Sequence, residues 1–184
     1  MSRHRAIVAL TIVVFVVLSG VWYVRARETP PVIDLVEKLS LADRKPIGAG
    51  PDVFSVRNEK IAGETKRAIY VYPPTRITWQ MTLPQDAWLR TFVGVDAKAW
   101  DKDGDGVLFF IGVSHDGRYD TLFEQRLDPH ASRADRRWVR VILDLSEYSG
   151  KKVNLIFNTR TSLKGDDPRN DFAYWGEPAV TLRP

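Results

Sequence analysis

The sequence predicts an all-β domain, an antiparallel sandwich of two sheets, preceded by a single N-terminal transmembrane helix. Three observations lead to this prediction. Residues 6–24 contain no charged side chain. From about residue 52, short segments that alternate apolar and polar residues are separated by clusters of turn residues. Roughly 155 residues follow the apolar run, which is enough for one domain with a core and too few for two.

The apolar run reads AIVALTIVVFVVLSGVWYV. As a helix it spans roughly 28 Å, which is close to the ~30 Å hydrocarbon core of a bilayer. A cleaved signal peptide is the alternative, but the run is longer than usual for one and Arg25 lies in the cleavage region. We therefore predict a cytoplasmic tail over residues 1–5, a single-pass helix over residues 6–24 in a bacterial inner membrane, and a periplasmic remainder.

The basic charge of the chain is concentrated beside this run. Residues 1–27 hold four basic side chains and no acidic one, so the rest of the chain has 23 of each sign. Such flanking charges suit an anionic lipid surface. A balanced remainder does not provide the basic surface that binds nucleic acid. The partners predicted from charge are therefore membrane lipids and not nucleic acid.

Residues 25–51 form the predicted linker. Within it, apolar residues recur at helical spacing and predict a short amphipathic helix over about residues 32–44. The apolar stripe consists of Val32, Leu35, Val36 and Leu39. We expect it to dock onto another membrane protein, and packing against its own domain is the alternative.

The predicted sandwich occupies residues 52–184. The clearest strand alternates Ile77, Trp79, Met81 and Leu83 with polar residues. The remaining predicted strands cover residues 69–72, 88–95, 107–113, 138–145, 153–159 and 178–182. Trp138 and Trp175 are expected to be core aromatics.

Several motifs occur in a distinctive order. LP at 83–84, AWL at 87–89, GV at 94–95, Trp100 and GDGV at 104–107 are followed by DRRW at 135–138, DLSEYSGK at 144–151 and WGEP at 175–178. This order resembles galactose-binding-like jelly-roll modules of bacterial extracytoplasmic and membrane-attached proteins, which often lie beside sulfatase or glycan-processing domains. The resemblance implies a jelly roll outside the cytoplasm. It implies no particular ligand, because the superfold includes sugar binders, protein binders and spacers.

An acidic turn precedes the strand at residue 107. Asp101, Asp103 and Asp105 occupy positions 1, 3 and 5 of a half EF-hand pattern, whose alternate carboxylates can converge on a calcium ion. Position 12 is Gly112 where a bidentate glutamate belongs. We therefore expect no cofactor, with a weak calcium site on the three aspartates as the alternative.

Catalytic motifs are missing from the sequence. There is no cysteine, and no metalloprotease, phosphate-loop or nucleophile-elbow pattern occurs. Ser114, His115 and Asp116 are adjacent, and adjacent side chains at a strand end point in different directions, so they cannot form a triad. His115-Asp116-Gly117 instead predicts a hairpin turn. We predict that the protein is not an enzyme.

Exposed aromatic rings are the remaining candidates for a binding site. Sugar-binding modules use such rings as stacking platforms, with polar groups beside them for the hydroxyls. Trp100 is the first candidate because it precedes the acidic loop, followed by Tyr119 and Tyr174.

Two functions follow from these features. The first is a non-enzymatic, membrane-anchored accessory subunit whose jelly roll docks onto other proteins of a larger membrane assembly, for which an energy-transducing complex, photosynthetic or respiratory, is one candidate. The alternative is a cell-surface carbohydrate-binding module.

Overall fold

A computed structural model describes residues 32–46, 52–161 and 168–182 of the chain. These residues form an antiparallel sandwich of two sheets with short 3₁₀ turns and no α-helix, which confirms the predicted all-β class. The predicted membrane anchor lies outside them. Within the three described ranges, no helix combines the length and apolar character needed to cross a membrane.

Eleven strands are present in the described ranges. They are β1 Ile33–Asp34, β2 Asp43–Pro46, β3 Val56–Ile61, β4 Glu64–Val71, β5 Thr75–Thr82, β6 Ala87–Val95, β7 Val107–His115, β8 Arg118–Leu127, β9 Val139–Asp144, β10 Lys152–Thr161 and β11 Ala173–Leu182. The 3₁₀ turns are Glu37–Leu41, Ala97–Ala99, Arg133–Asp135 and Ser146–Tyr148.

The strands form two sheets. Sheet I has the order β3-β4-β11-β6-β9, with β1 paired to β11, and sheet II has the order β2-β5-β10-β7-β8. The chain changes sheet after every strand except β3 and β7, and the connections after β4, β6, β8 and β10 are four of these changes. These four connections lie at the same end of the sandwich, because every paired strand is antiparallel to its neighbour. We call this end the crossover end.

Aromatic side chains fill the space between the sheets. The Phe157 ring lies 4.5 Å from the Trp175 ring and 5.1 Å from the Trp79 ring, measured between centroids. The Phe109 ring meets Trp175 edge-on at 5.1 Å. Such pairs add about 0.5–1.5 kcal/mol each beyond the free energy of burying their area. The alternation of apolar residues on β5, β7 and β10 directs these rings inward.

The segment 32–46 corrects the prediction of a linker with an amphipathic helix. It forms β1, which pairs with the central strand β11 of sheet I, then a 3₁₀ turn, and then β2, which is an edge strand of sheet II. The Asp34 carboxylate accepts a hydrogen bond from the Val36 amide at 2.8 Å, which turns the chain directly after β1. Leu35, Val36 and Leu39 are buried in the core, at 5% exposure or less. The helical spacing covers too few residues to form a stable helix by itself, and the segment instead pairs with strands of the two sheets.

The outer face of sheet I is covered by a second apolar cluster. The Trp138 ring lies against Gly94 and Gly176, and its Nε1 donates to the Glu64 carbonyl at 3.0 Å. Trp175 is fully buried between the sheets as predicted, whereas Trp138, which is 6% exposed, is buried in this outer cluster and not between the sheets.

Candidate functional site

The candidate site lies on the outer face of sheet II. Its central members are Tyr119 on β8, Gly112 and Phe110 on β7, Asn158 on β10 and Arg76 on β5, and we call this surface the open face. Cross-strand pairing brings these residues together, because Phe110 is opposite Asn158 and Asn158 is opposite Arg76. Side chains alternate along a strand, so these residues point away from the aromatic core that their neighbours fill.

Tyr119 is the exposed ring of this face. It is 49% exposed, and its phenolic end lies over Gly112 on the neighbouring strand. A Cβ at position 112 would collide with the phenolic oxygen and ring carbons of Tyr119. The glycine therefore makes room for the end of the ring beside β7, while about half of the side chain stays exposed. An exposed ring held against a sheet can act as a stacking platform.

Phe110 continues the aromatic surface along β7. It is two residues from Gly112, a rise of about 6.6 Å, and it is partly exposed. The Arg160 guanidinium lies over its ring at 5.1 Å. Two rings therefore follow one another along the open face, and the second has a cation beside it.

Amide side chains border the rings. Asn154 lies between Gln80 on β5 and Ser114 on β7 in the strand register. Asn158 is 6% exposed, and its Oδ1 accepts from Arg76 Nε at 2.8 Å. Amides and hydroxyls beside partly exposed rings can bind a ligand with both apolar faces and hydroxyl groups.

The open face ends at a cavity of about 260 Å³ near the crossover end. It is lined by Lys45, Pro74, Thr75, Arg76, Asn158, Thr159 and Arg160. The cavity opens where β2, β5 and β10 lie side by side. We call it the basic cavity, since three of its lining side chains are cationic.

The crossover end holds Trp100, the first predicted stacking residue, in a different role. Its Nε1 donates to the Val95 carbonyl at 3.1 Å, and the Arg136 guanidinium lies over its ring at 5.7 Å. The residue is half-buried against the apolar cluster on sheet I. Trp100 therefore packs the loop against the sandwich, and one ring face is covered by arginine.

Arg136 joins two of the connecting loops at this end. It donates to the carbonyl oxygens of Pro129 and Trp100, each at 2.8 Å, and to Asp101 Oδ1 at 3.0 Å. The arginine of the DRRW motif is thus a structural link. A shallow pocket nearby has a volume of about 10 Å³, which is the space of a single water molecule.

The predicted calcium ligands do not converge. Asp101 pairs with Arg136, and the Asp103 side chain is 97% exposed. Over residues 32–46, 52–161 and 168–182, no three histidine, aspartate or glutamate side chains are grouped so that they could hold a metal ion. Gly106, where this loop enters β7, has a φ of +81°.

Tyr174, the third predicted stacking residue, lies inside the protein. It is 1% exposed, and its hydroxyl donates to Asp96 Oδ2 at 3.2 Å. Burial raises the pKa of its phenol well above the ordinary value, and the nearby Asp96 carboxylate adds to the shift. With its ring covered by Tyr70 and Trp138, it has no face for a ligand.

The Ser114-His115-Asp116 segment forms the predicted hairpin turn. Asp116 and Gly117 both have positive φ, at 50° and 76°, which is the backbone of a two-residue type I′ turn between β7 and β8. His115 Nδ1 lies 3.1 Å from the Lys152 carbonyl and Nε2 lies 3.0 Å from Asp116 Oδ2, so both ring nitrogens have partners other than the Ser114 hydroxyl. No triad forms.

Solved structures similar to this chain include carbohydrate-binding modules. The second CBM51 domain of Clostridium perfringens ZmpB, solved with GlcNAc and the INT domains, has a TM-score of 0.55 at 19% identity and matches 84% of this chain. The CBM51 of C. perfringens GH95, solved with methyl-galactose, has a TM-score of 0.53 at 18% identity and matches 81% of this chain and 99% of its own.

The fold is a galactose-binding-like jelly roll. This confirms the resemblance drawn from the sequence motifs. Because the sequence identities to these structures are below 20%, the similarity establishes the fold and not the function.

Sequence relatives add little to this. No profile of a known protein family matches the chain. An uncharacterized protein of Archaeoglobus fulgidus is 34% identical over 102 residues, which are 55% of this chain and 25% of the archaeal protein. The chain thus spans about a quarter of that relative and 32% of the ZmpB structure.

Sequence analysis found Tyr119 but not the surface around it. Strand β8 was missed because its residues RYDTLFEQRL lack a clean alternation at an edge position. β2 was missed because DRKP is polar and exposed throughout. Asn158, Arg160 and Phe110 lie on recognised strands, and period-two counting from the core residues would have placed all three on one outer face.

Proposed function

We propose that this domain is a non-enzymatic carbohydrate-binding module that holds a glycan on the open face. The observation that carries the proposal is the Tyr119 ring, 49% exposed and held against the sheet at Gly112. The likeness to CBM51 modules supports it at the level of the fold. Between the two functions predicted from sequence, these findings support the carbohydrate-binding alternative over docking in a membrane assembly.

The chemistry of the face suits a saccharide. A pyranose ring has an apolar side formed by C–H groups and an edge of hydroxyls. Tyr119 and Phe110 offer apolar surface, and Asn154, Gln80 and Ser114 offer donors and acceptors beside it. The sandwich behind the face is tightly packed, so binding requires little reorganisation of the backbone.

A matched set of variants tests this function. Tyr119→Ala removes the platform, and Gly112→Ala displaces the ring while keeping it. Both should weaken binding to a glycan array, by about tenfold or more for Tyr119→Ala, which is the affinity change equivalent to about 1.4 kcal/mol. Tyr119→Phe should retain most of the binding, because the ring remains.

The control is Ile142→Ala, an apolar residue 38% exposed on β9 of sheet I. It should leave binding unchanged. If the Tyr119→Ala variant bound glycan with unchanged affinity, Tyr119 would not be part of the binding site. If the chain bound no glycan at all, the proposed function would be refuted.

We also propose that the domain is held in the periplasm by residues 6–24. The support is the apolar run and its basic flanks. Protease added to intact spheroplasts should digest the domain, and full protection would refute this location.

A further inference from the structure

The basic cavity has an unusual charge pattern for the end of a sugar-binding face. Lys45, Arg76 and Arg160 line it from three neighbouring strands. Among the described residues that line it, none is acidic. Three cations around about 260 Å³ of space raise the local concentration of anions.

Each of the two arginines is held in place by an uncharged neighbour. Arg76 Nε donates to the buried Asn158 side chain at 2.8 Å, which orients its guanidinium. Arg160 lies over the Phe110 ring at 5.1 Å. A guanidinium that stacks on a ring keeps its N–H edges available for a planar or tetrahedral oxyanion.

Among the described residues, two acidic side chains on the strands of sheet II compensate this charge in part. Asp43 Oδ2 lies 3.2 Å from Lys45 Nζ, and both side chains are more than half exposed. Glu124 faces Phe110 from β8, two strands beyond Arg160. Counting both acids against the three cations still leaves one positive charge, and the two arginines lie nearest the aromatic surface.

The cavity is continuous with the open face. Asn158 and Arg76 belong to both, and Phe110 joins Arg160 to the surface that runs toward Tyr119. A ligand stacked on Tyr119 therefore extends toward the cations over about two residue steps of β7, roughly 7 Å.

We propose that the basic cavity binds the acidic group, carboxylate or sulfate, of a sugar residue whose neighbour in the same oligosaccharide stacks on Tyr119. The ligand class is thus an acidic glycan. This inference rests on the proposed function and specifies its ligand. Arg76 and Arg160 provide the N–H donors, and Lys45 adds a third cation at the edge of the cavity.

The test compares matched ligands on the full chain in mild detergent. A neutral galactose oligomer, its uronic-acid counterpart and its sulfated counterpart are titrated at low salt and again at 0.5 M salt. Free sulfate and free galacturonate are titrated separately. The variants are Arg76→Gln, Arg160→Gln and Tyr119→Ala, with Arg67→Gln on sheet I as the control that removes the same charge elsewhere.

At least one acidic oligomer should bind about tenfold or more tightly than the neutral oligomer, and the uronate and sulfate arms identify which oxyanion is preferred. Arg76→Gln and Arg160→Gln should each abolish most of that preference, while Arg67→Gln keeps it. High salt should reduce the preference, because exposed charges are screened. Tyr119→Ala should weaken neutral and acidic oligomers alike.

Three results would overturn the inference in distinguishable ways. Equal affinity for neutral and acidic oligomers, with both weakened by Tyr119→Ala, leaves a carbohydrate-binding module and removes the acidic ligand. Oligomer binding that requires Arg76 but is unchanged by Tyr119→Ala leaves an anion site and refutes glycan stacking. No binding of any probe refutes both proposals.

Discussion

Two glycines lie beneath aromatic rings on opposite outer faces of the sandwich, and the same substitution should affect them differently. A Cβ on Gly94 would lie 2.7 Å from Ile61 Cδ1 and 2.9 Å from Trp138 Cε3. Ile61 is fully buried and Trp138 is 6% exposed, so neither can move into solvent. A Cβ on Gly112 would meet the end of the Tyr119 side chain, which is 49% exposed and free to swing outward.

Gly94→Ala should therefore overpack the outer cluster of sheet I. Overpacking costs about 1–3 kcal/mol, which for a chain of this size lowers Tm by roughly 3–9 °C. Gly112→Ala should change the free energy of unfolding by less than about 0.5 kcal/mol, because the displaced ring moves into water. Thermal unfolding followed by tryptophan fluorescence measures both.

A second substitution tests the cause. Ile61→Val removes the Cδ1 atom that the new Cβ would meet, at a cost of about 0.5–1.5 kcal/mol by itself. The double variant Gly94→Ala/Ile61→Val should be less destabilised than the sum of the two single changes, by about 0.5 kcal/mol or more. If Gly94→Ala proved neutral, or if the two effects simply added, the close packing of Ile61 and Trp138 over this glycine would be wrong.

Three further predictions concern single residues. Trp138→Phe should destabilise the fold by about 1 kcal/mol more than Trp175→Phe. The reason is that the Trp138 Nε1 donates to a backbone carbonyl, while the Trp175 Nε1 is buried without a partner among the described residues. Equal losses of stability in urea unfolding would contradict this. Burial and the hydrogen bond to Asp120 raise the pKa of Tyr148 to about 12. The folded state therefore holds this proton more tightly than the unfolded state, and the stability gained in this way is lost as the pH rises from about 10 toward 12. Tyr148→Phe should show a shallower loss of unfolding free energy between pH 9 and 11, and an unchanged slope would refute the shift. Arg136→Ala should speed amide hydrogen exchange in the loops at residues 96–106 and 128–138, since both lose its hydrogen bonds; protection equal to wild type would show that the arginine does not join them.

Much of the fold could be predicted from the sequence. Strand β5 alternates Ile77, Trp79 and Met81 with polar residues, and that period is a property of the extended chain itself. The turn at Asp116-Gly117 needs two residues with positive φ, which aspartate and glycine adopt at low cost. Local backbone preference and local alternation carry this information, and no distant residue is needed to read it.

The segments that were wrongly predicted or missed share a physical cause. Residues 32–46 have helical spacing, but their backbone groups pair with β11 and β5, which are distant in the chain. β8 is an edge strand with one neighbour, and its polar residues give no periodic signal. In both cases the segment is a strand because its backbone pairs with a neighbouring strand, and its own residue pattern does not reveal that pairing.

The sequence by itself determined the chemistry available to a binding site: the rings, the amides and the cations. Only the tertiary structure decided which of them reach solvent together. Trp100, Tyr119 and Tyr174 look alike as candidates in the sequence, yet only Tyr119 keeps an open face, because exposure depends on which element packs above each ring. Likewise Lys45 and Arg160 are 115 positions apart in the printed sequence, and they line one cavity because β2 and β10 both pair with β5. Strand pairing over such separations follows from the burial of a shared core, which alternation within a single strand does not encode.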